Sequence, residues 1–313
     1  MIYQNVSELI GKTPLVKLEN PNEREFADVF VKLEYFNIGK SVKDRIALNM
    51  VETAIREGKI TARTTLVEAS SGNTGIGLAI VCAVKKIPLI VILPEVVSCE
   101  RKQLIRAYGA TVIETSASGG IAASFEKMEE LLRENQNYLS LRQFENRANP
   151  QIHFQTTAPE IIRALGAVPE AFVAGVGTGG TLTGVGSHFR ELKKEVKIFA
   201  VEPEKSPVLS GGIASPHKIQ GIGAGIIPEV LDTTLYDEVL RVTEEEAITQ
   251  TRKLAEKGLL LGISSGAAIH AAFDVARKIG ANKHVVVVAA DNGERYLSTD
   301  IFAQKNYEEA KNE

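Results

Sequence analysis

Only two of the 313 residues are cysteine. That is too few for a disulfide framework and suits a reducing cytosol, so a cytoplasmic location is expected. Cys82, set among Ile80, Val81 and Val84, reads as a core thiol, and Cys99 as a free thiol near a helix start. Long apolar runs are also missing. The best candidates, 89–93 and 285–290, have strand length, which argues against a membrane span. The opening Met1-Ile2-Tyr3-Gln4-Asn5 has neither the basic region nor the apolar block of a secretion signal. Charge of one sign is scarce: a net charge of −3 gives no electrostatic case for nucleic acid or an anionic membrane. His153, His188, His217, His270 and His284 show no close ligand pairing, so no metal site is expected.

What is present is an ordinary globular composition, 44% hydrophobic and 24% charged. The length suggests about two domains. Short apolar segments at 29–33, 65–69, 89–93, 111–114, 171–174, 198–202 and 285–290 have strand character. Between and after them, 46–57, 75–85, 100–107, 121–134, 181–192, 244–257 and 267–278 have helical periodicity. Such alternation predicts an α/β fold, a parallel sheet with helices on both faces. Asn146-Arg147-Ala148-Asn149-Pro150 interrupts the pattern and marks a boundary near 146–151.

In such sheets ligands bind where strands lead into helix N-termini. Ser41, followed three residues later by Asp44, is a helix-start signature that puts Lys43 in the first turn. A cation is disfavoured there, which lowers the amine's proton affinity and readies it to attack a carbonyl carbon. A solvated lysine is the plainer alternative. Three junctions are rich in small hydrogen-bonding residues. Ser70-Ser71-Gly72-Asn73-Thr74-Gly75 can cradle a carboxylate or phosphate, or be a tight turn. Gly175-Val176-Gly177-Thr178-Gly179-Gly180-Thr181 matches a dinucleotide pattern, with Glu202 as its later acid, or wraps a terminal phosphate. The two threonines favour the phosphate, and glycines present only for close packing rank last. Gly262-Ile263-Ser264-Ser265-Gly266 caps a helix or lends a hydroxyl to a heterocycle nitrogen. An imine-forming lysine, a phosphate cup, a carboxylate cradle and a spare hydroxyl together point to pyridoxal phosphate and an amino acid.

These blocks, in this order, resemble the cysteine synthase (O-acetylserine sulfhydrylase) family of fold-type II pyridoxal-phosphate enzymes. The resemblance runs from Ile10-Gly11-Lys12-Thr13-Pro14 to Gly293-Glu294-Arg295-Tyr296-Leu297 and includes Pro216-His217-Lys218-Ile219-Gln220-Gly221. It implies two open twisted, mostly parallel sheets, as in the tryptophan synthase β-like fold. It further implies a smaller mobile domain, 36–148, that binds the substrate carboxylate and closes over it. A larger domain, 1–35 with 149–313, would hold the cofactor phosphate. Lys43 would carry pyridoxal 5'-phosphate and later remove the substrate α-proton, and Asn73 would hydrogen-bond the ring hydroxyl. Gly177, Thr178, Gly179, Gly180 and Thr181 would hold the phosphate. Ser264, in preference to Ser265, would face the ring nitrogen. Ser70, Ser71, Gly72, Thr74 and Gln143 would form the substrate site.

The implied reaction is β-replacement: acetate leaves O-acetylserine, an aminoacrylate forms and sulfide adds. Alternatives are homocysteine as acceptor, in the manner of cystathionine β-synthase, or cysteine as donor with sulfide released. A nicotinamide-dependent oxidoreductase is the reading from another class. A homodimer, and a serine acetyltransferase C-terminal tail as partner, are implied as well. To act as a base, Lys43 must drop roughly three units from a free value near ~10.4. The helix start, Lys40 and Arg45 are expected to push it down, with Asp44 pushing back. The chain departs from the family pattern at Ile38-Gly39-Lys40, Ser70, Arg147, Ala158 and Ala290. Lys40 and Arg147 are expected to add charge around the entrance.

Overall fold

The computed structural model describes residues 2–19, 25–70 and 72–302. Among these, the strands are β1 (Leu15–Lys17), β2 (Asp28–Leu33), β3 (Thr65–Ala69), β4 (Leu89–Pro94), β5 (Thr111–Thr115), β6 (Tyr138–Leu139), β7 (Ala171–Gly175), β8 (Lys197–Pro203), β9 (Glu238–Val242) and β10 (His284–Ala289). The helices are α1 (Lys43–Arg56), α2 (Asn73–Lys85), α3 (Cys99–Ala107), α4 (Gly120–Glu134), α5 (Ala148–Ile152), α6 (Ala158–Leu165), α7 (Gly180–Leu192), α8 (Glu244–Glu256) and α9 (Ile263–Ile279).

Two sheets form. The larger runs β1-β2-β10-β7-β8-β9 and the smaller β5-β4-β3-β6. Every pairing is parallel except that of β1 with β2. β10 shows why the pattern yields this layering. Val285 and Val287 pack towards the α8–α9 side, and Val286 and Val288 towards α6 and α7. A parallel strand covered on both faces reads as a continuous apolar run, and each buried valine is worth about 1.5–3 kcal/mol. The small sheet is built alike. Leu66, Val91 and Leu93 meet α1, α2 and α3, while Val67, Ala69 and Ile92 meet Met128 of α4.

Some features depart from the sequence reading. The expected break at 146–151 is the start of α5, which a π-helical turn, His153–Thr157, joins to α6. Pro150 fits because it lies in the first turn of α5, where its missing N–H is not needed. β1, β6 and β9 are additional strands. No helix among the described residues is long and apolar enough to cross a membrane.

The start of α1 is also built differently from a capping box. The Ser41 Oγ accepts from the Lys43 N–H at 3.2 Å, but Asp44 turns back to accept from the Gly39 N–H at 2.5 Å. Asp44 is buried with its Oδ1 unpartnered, and burial pushes its carboxyl up to about 7. Arg45, also buried, is held from several sides. Its Nε and one terminal nitrogen donate to Glu34 at 2.7 and 2.9 Å, and its two terminal nitrogens donate to Glu160 at 2.9 and 2.7 Å. Thr156 and Thr13 accept at 3.0 and 3.2 Å, and Lys32 donates to Glu160 at 2.7 Å.

Glu34→Ala strands the Arg45 charge against the remaining Glu160 and is expected to cost about 3–5 kcal/mol in urea unfolding. A loss under about 1 kcal/mol would show that the other partners suffice. For Asp44, the folded value lies above the unfolded 3.8, so the native state binds the proton more tightly and stability falls as pH rises from about 4 to 7. Asp44→Asn should therefore gain stability relative to wild type across that window, with the difference levelling off above it. A pH-independent difference in urea midpoints would refute this account.

Candidate active site

Lys43 opens α1 beside the carboxyl end of β10: the preceding Val42 N–H donates to the Ala290 carbonyl at 2.8 Å. Its side chain shares one cleft with Gly177, Thr178, Gly179, Thr181 and Ser264. Burial lowers its proton affinity, while the charges of Asp291 and Glu34 raise it, and burial wins. The expected push from Lys40 and Arg45 and counter-push from Asp44 is thus replaced by other groups. Arg45 is neutralised by its own carboxylates, Lys40 pairs with Glu294 at the surface, and Asp44 is an acid held up to about 7.

The β7–α7 loop supplies the anion-binding half. The N–H groups of Gly177, Thr178, Gly179 and Thr181 find no acceptor among the described residues, and α7 begins at Gly180. Gly179, at φ +82°, takes the left-handed turn that aims the loop into the helix. Free N–H groups at a helix N-terminus are a site for a dianion. Two side chains brace the loop: Asn149 Nδ2 donates to Thr178 Oγ1 at 3.0 Å, and Thr181 Oγ1 lies 3.3 Å from His153 Nε2. Burial and the Arg45 charge take His153 down to about 3, so it is neutral. Close packing, ranked last from sequence, is nonetheless real. A Cβ at Gly177 would stand 2.5 Å from the Gly221 carbonyl oxygen, and one at Gly180 would stand 1.8 Å from Asn149 Oδ1. Glu202, the acid of the dinucleotide alternative, is buried and accepts from the Leu209 N–H at 2.7 Å and from the Ser210 N–H and hydroxyl at 3.1 and 2.5 Å. It has no free edge for a ribose, and that reading fails.

Ser264 lies in the Lys43 cleft, whereas Ser265 is buried and accepts from the Ala290 N–H at 3.0 Å. In the first loop, Ser70 is a cap, its hydroxyl accepting from the Gly75 and Gly72 N–H groups at 3.1 and 3.4 Å. Thr74 Oγ1 donates to Gln143 Oε1 at 2.6 Å, so those two distant residues do meet. Gly72 precedes α2 as its cap residue, and Ser71 lies outside the described residues. Asn73 starts α2; its Nδ2 donates to Asp291 Oδ2 at 2.7 Å and its Oδ1 accepts from Arg295.

Sequence reasoning missed Asp291, Arg295, Tyr296, Asn149 and His153. An acid directly after a buried parallel strand was the available signal for Asp291, since that is where such sheets bind ligands. Lys40 and Arg147 are not in the Lys43 cleft. Lys40, at φ +59°, opens onto a groove with Glu294, and Arg147 onto another with Met50 and Gln151.

The residues fit pyridoxal phosphate: unpaired N–H groups for the phosphate, an amine of lowered proton affinity, and a hydroxyl in the same cleft. A family model for pyridoxal-phosphate dependent enzymes matches residues 6–291. A cysteine synthase of Staphylococcus aureus is 50% identical over 301 residues, 96% of this chain and 97% of that protein. The crystal structure of cysteine synthase from Entamoeba histolytica has a TM-score of 0.94 at 38% identity, covering 98% of this chain and 92% of that one. A hydrogen sulfide-producing enzyme of Fusobacterium nucleatum has a TM-score of 0.90 at 45% identity, covering 95% and 100%. With a cleft that suits the cofactor and a match along nearly its whole length, the chain belongs to the pyridoxal-phosphate-dependent enzymes.

Proposed function

We propose that the protein makes cysteine from O-acetyl-L-serine and sulfide by β-replacement. The observation that carries this is the amine of Lys43, held below its ordinary range by burial, in one cleft with the free N–H groups that open α7. Pyridoxal phosphate, when bound, supplies the electron sink that makes an amino acid's α-proton removable. Lys43 would hold the cofactor and then accept that proton. Gly177, Thr178, Gly179, Gly180 and Thr181 bind the phosphate, and Asn73 the ring hydroxyl. Ser264, in the same cleft, would offer the ring nitrogen a neutral hydroxyl in place of a charged carboxylate. That moderation suits elimination. Ser71, Gly72, Thr74 and Gln143 bind the substrate carboxylate, with the Ser70 hydroxyl capping the start of α2.

The segment 36–148 carries the small sheet and this turn, and we propose that it moves as one domain against 1–35 and 149–313, shutting water out. Family resemblance supports a homodimer and a serine acetyltransferase tail entering the same cleft, and the two free cysteines suit a cytoplasmic location. Sulfide release from cysteine is the second reading, favoured by the 45% identity to the Fusobacterium protein.

Lys43→Ala should unfold like wild type, lose cofactor fixed by borohydride reduction, and form cysteine at least about 1,000-fold more slowly. Full activity in that variant would remove Lys43 from the mechanism. Measured kcat/KM for O-acetylserine with sulfide should exceed that for cysteine breakdown; the reverse order would install the second reading.

A further inference from the structure

Asp291 sits where the three loops of the site converge. Its backbone pairs with Ser41 in an isolated antiparallel bridge, two residues before Lys43. Its carbonyl accepts from the Gly262 N–H at 3.1 Å, two residues before Ser264. Its carboxylate reaches the third loop, Oδ2 accepting from Asn73 Nδ2 at 2.7 Å and from the Tyr296 hydroxyl at 2.7 Å. The residue is buried, at 1% exposure, and its Oδ1 has no partner. A buried acid with an unmatched oxygen is costly, so its presence calls for a reason beyond packing.

Two consequences follow from the geometry. The Asn73 amide is gripped at both ends, by Asp291 on its nitrogen and by Arg295 on its oxygen. An amide nitrogen carries two protons, so one N–H of fixed direction is left over. Separately, the Ser41–Asp291 bridge brings this residue beside the turn that carries Lys43, and the charges of Asp291 and Glu34 favour the protonated amine, with which the neutral His153 also interacts. Asp291 itself is faced by Tyr296, whose ring lies 5.1 Å beneath the Arg101 guanidinium, and by Arg295 nearby. Burial, then Asp291, raises the Tyr296 phenol, which therefore remains a donor.

We propose that Asp291 is a positioning residue of this site: its carboxylate orients Asn73 for the cofactor ring and sets the readiness of Lys43 to hold a proton. The proposal rests on the roles given above to Lys43 and Asn73. Its test does not depend on which reaction is catalysed. In the full-length protein stripped of cofactor, the pH dependence of Lys43 acylation by acetic anhydride is read from the mass of its peptide. Asp291→Asn removes the charge at constant size, and Asp291→Ala removes it with no polar atom left to bury. Both should shift the acylation midpoint down by about one pH unit, because an anion that favours the protonated amine has gone. Pyridoxal phosphate should bind about tenfold more weakly to reloaded Asp291→Ala, where Asn73 Nδ2 has lost its acceptor, and close to wild type in Asp291→Asn, whose amide oxygen can still accept. An unmoved or raised midpoint in either variant that retains the wild-type circular dichroism overturns the proposal. Failure of the wild type to make cysteine would overturn the proposed reaction alone, as neither readout uses it.

Discussion

The buried Arg45 guanidinium is the constraint on which the rest depends. A charge taken out of water must find partners of good geometry or it destabilises the fold. Here they come from separate parts of the chain: Thr13, Glu34 after β2, Thr156 in the π-helical turn and Glu160 on α6. Against the upward push of burial, Arg45 and Lys32 hold Glu160 at about 2, so the pairing stays charged at any physiological pH. Because Arg45 lies two residues beyond Lys43 on α1, these partners also fix where the Lys43 amine stands. A carboxylate–guanidinium pair with bidentate geometry fixes direction as well as distance.

The same neutralisation explains the electrostatics of the cleft. Arg45 is close in sequence to Lys43, yet it does not appear among the groups that set the amine's proton affinity. Its charge acts on Glu34 and Glu160, which it keeps ionised, and on His153, which it helps to keep neutral. What remains is burial opposed by the Asp291 and Glu34 charges, a balance that leaves the amine easier to deprotonate than a free lysine. Meanwhile the unpaired N–H groups at the start of α7 concentrate positive potential at the other end of the cleft. One end therefore suits an anion and the other a neutral nucleophile.

Much of this was legible in the sequence because the parallel strands are buried on both faces and announce themselves as apolar runs. β6 was not, having only two residues, and β9 was not, because at the sheet edge Glu238 and Arg241 dilute its pattern. The motif loops were visible as glycine and serine clusters. Their chemistry was only half visible: Ser70 is consumed as a helix cap, and Asp44 turns away from the role its spacing suggested. Asn149 and Asp291 meet their partners 29 and 218 residues away, and no local pattern encodes such contacts.

The π-helical turn at His153–Thr157 has a consequence for how the chain can change length. Each residue in an α-helix advances about 100°, and a π turn inserts one extra residue into that count. Upstream of the extra residue, His153 faces the β7–α7 loop at Thr181; downstream, Glu160 faces Arg45. Seven residues apart, His153 and Glu160 would lie within about 20° of one another on an unbroken α-helix, and the extra residue turns them towards separate clients. Removing one residue of the turn that makes neither contact would restore a plain α-helix with both phases kept, whereas adding a further residue would rotate Glu160 off the guanidinium. The segment is governed by arithmetic rather than composition: it can lose a residue more readily than it can gain one.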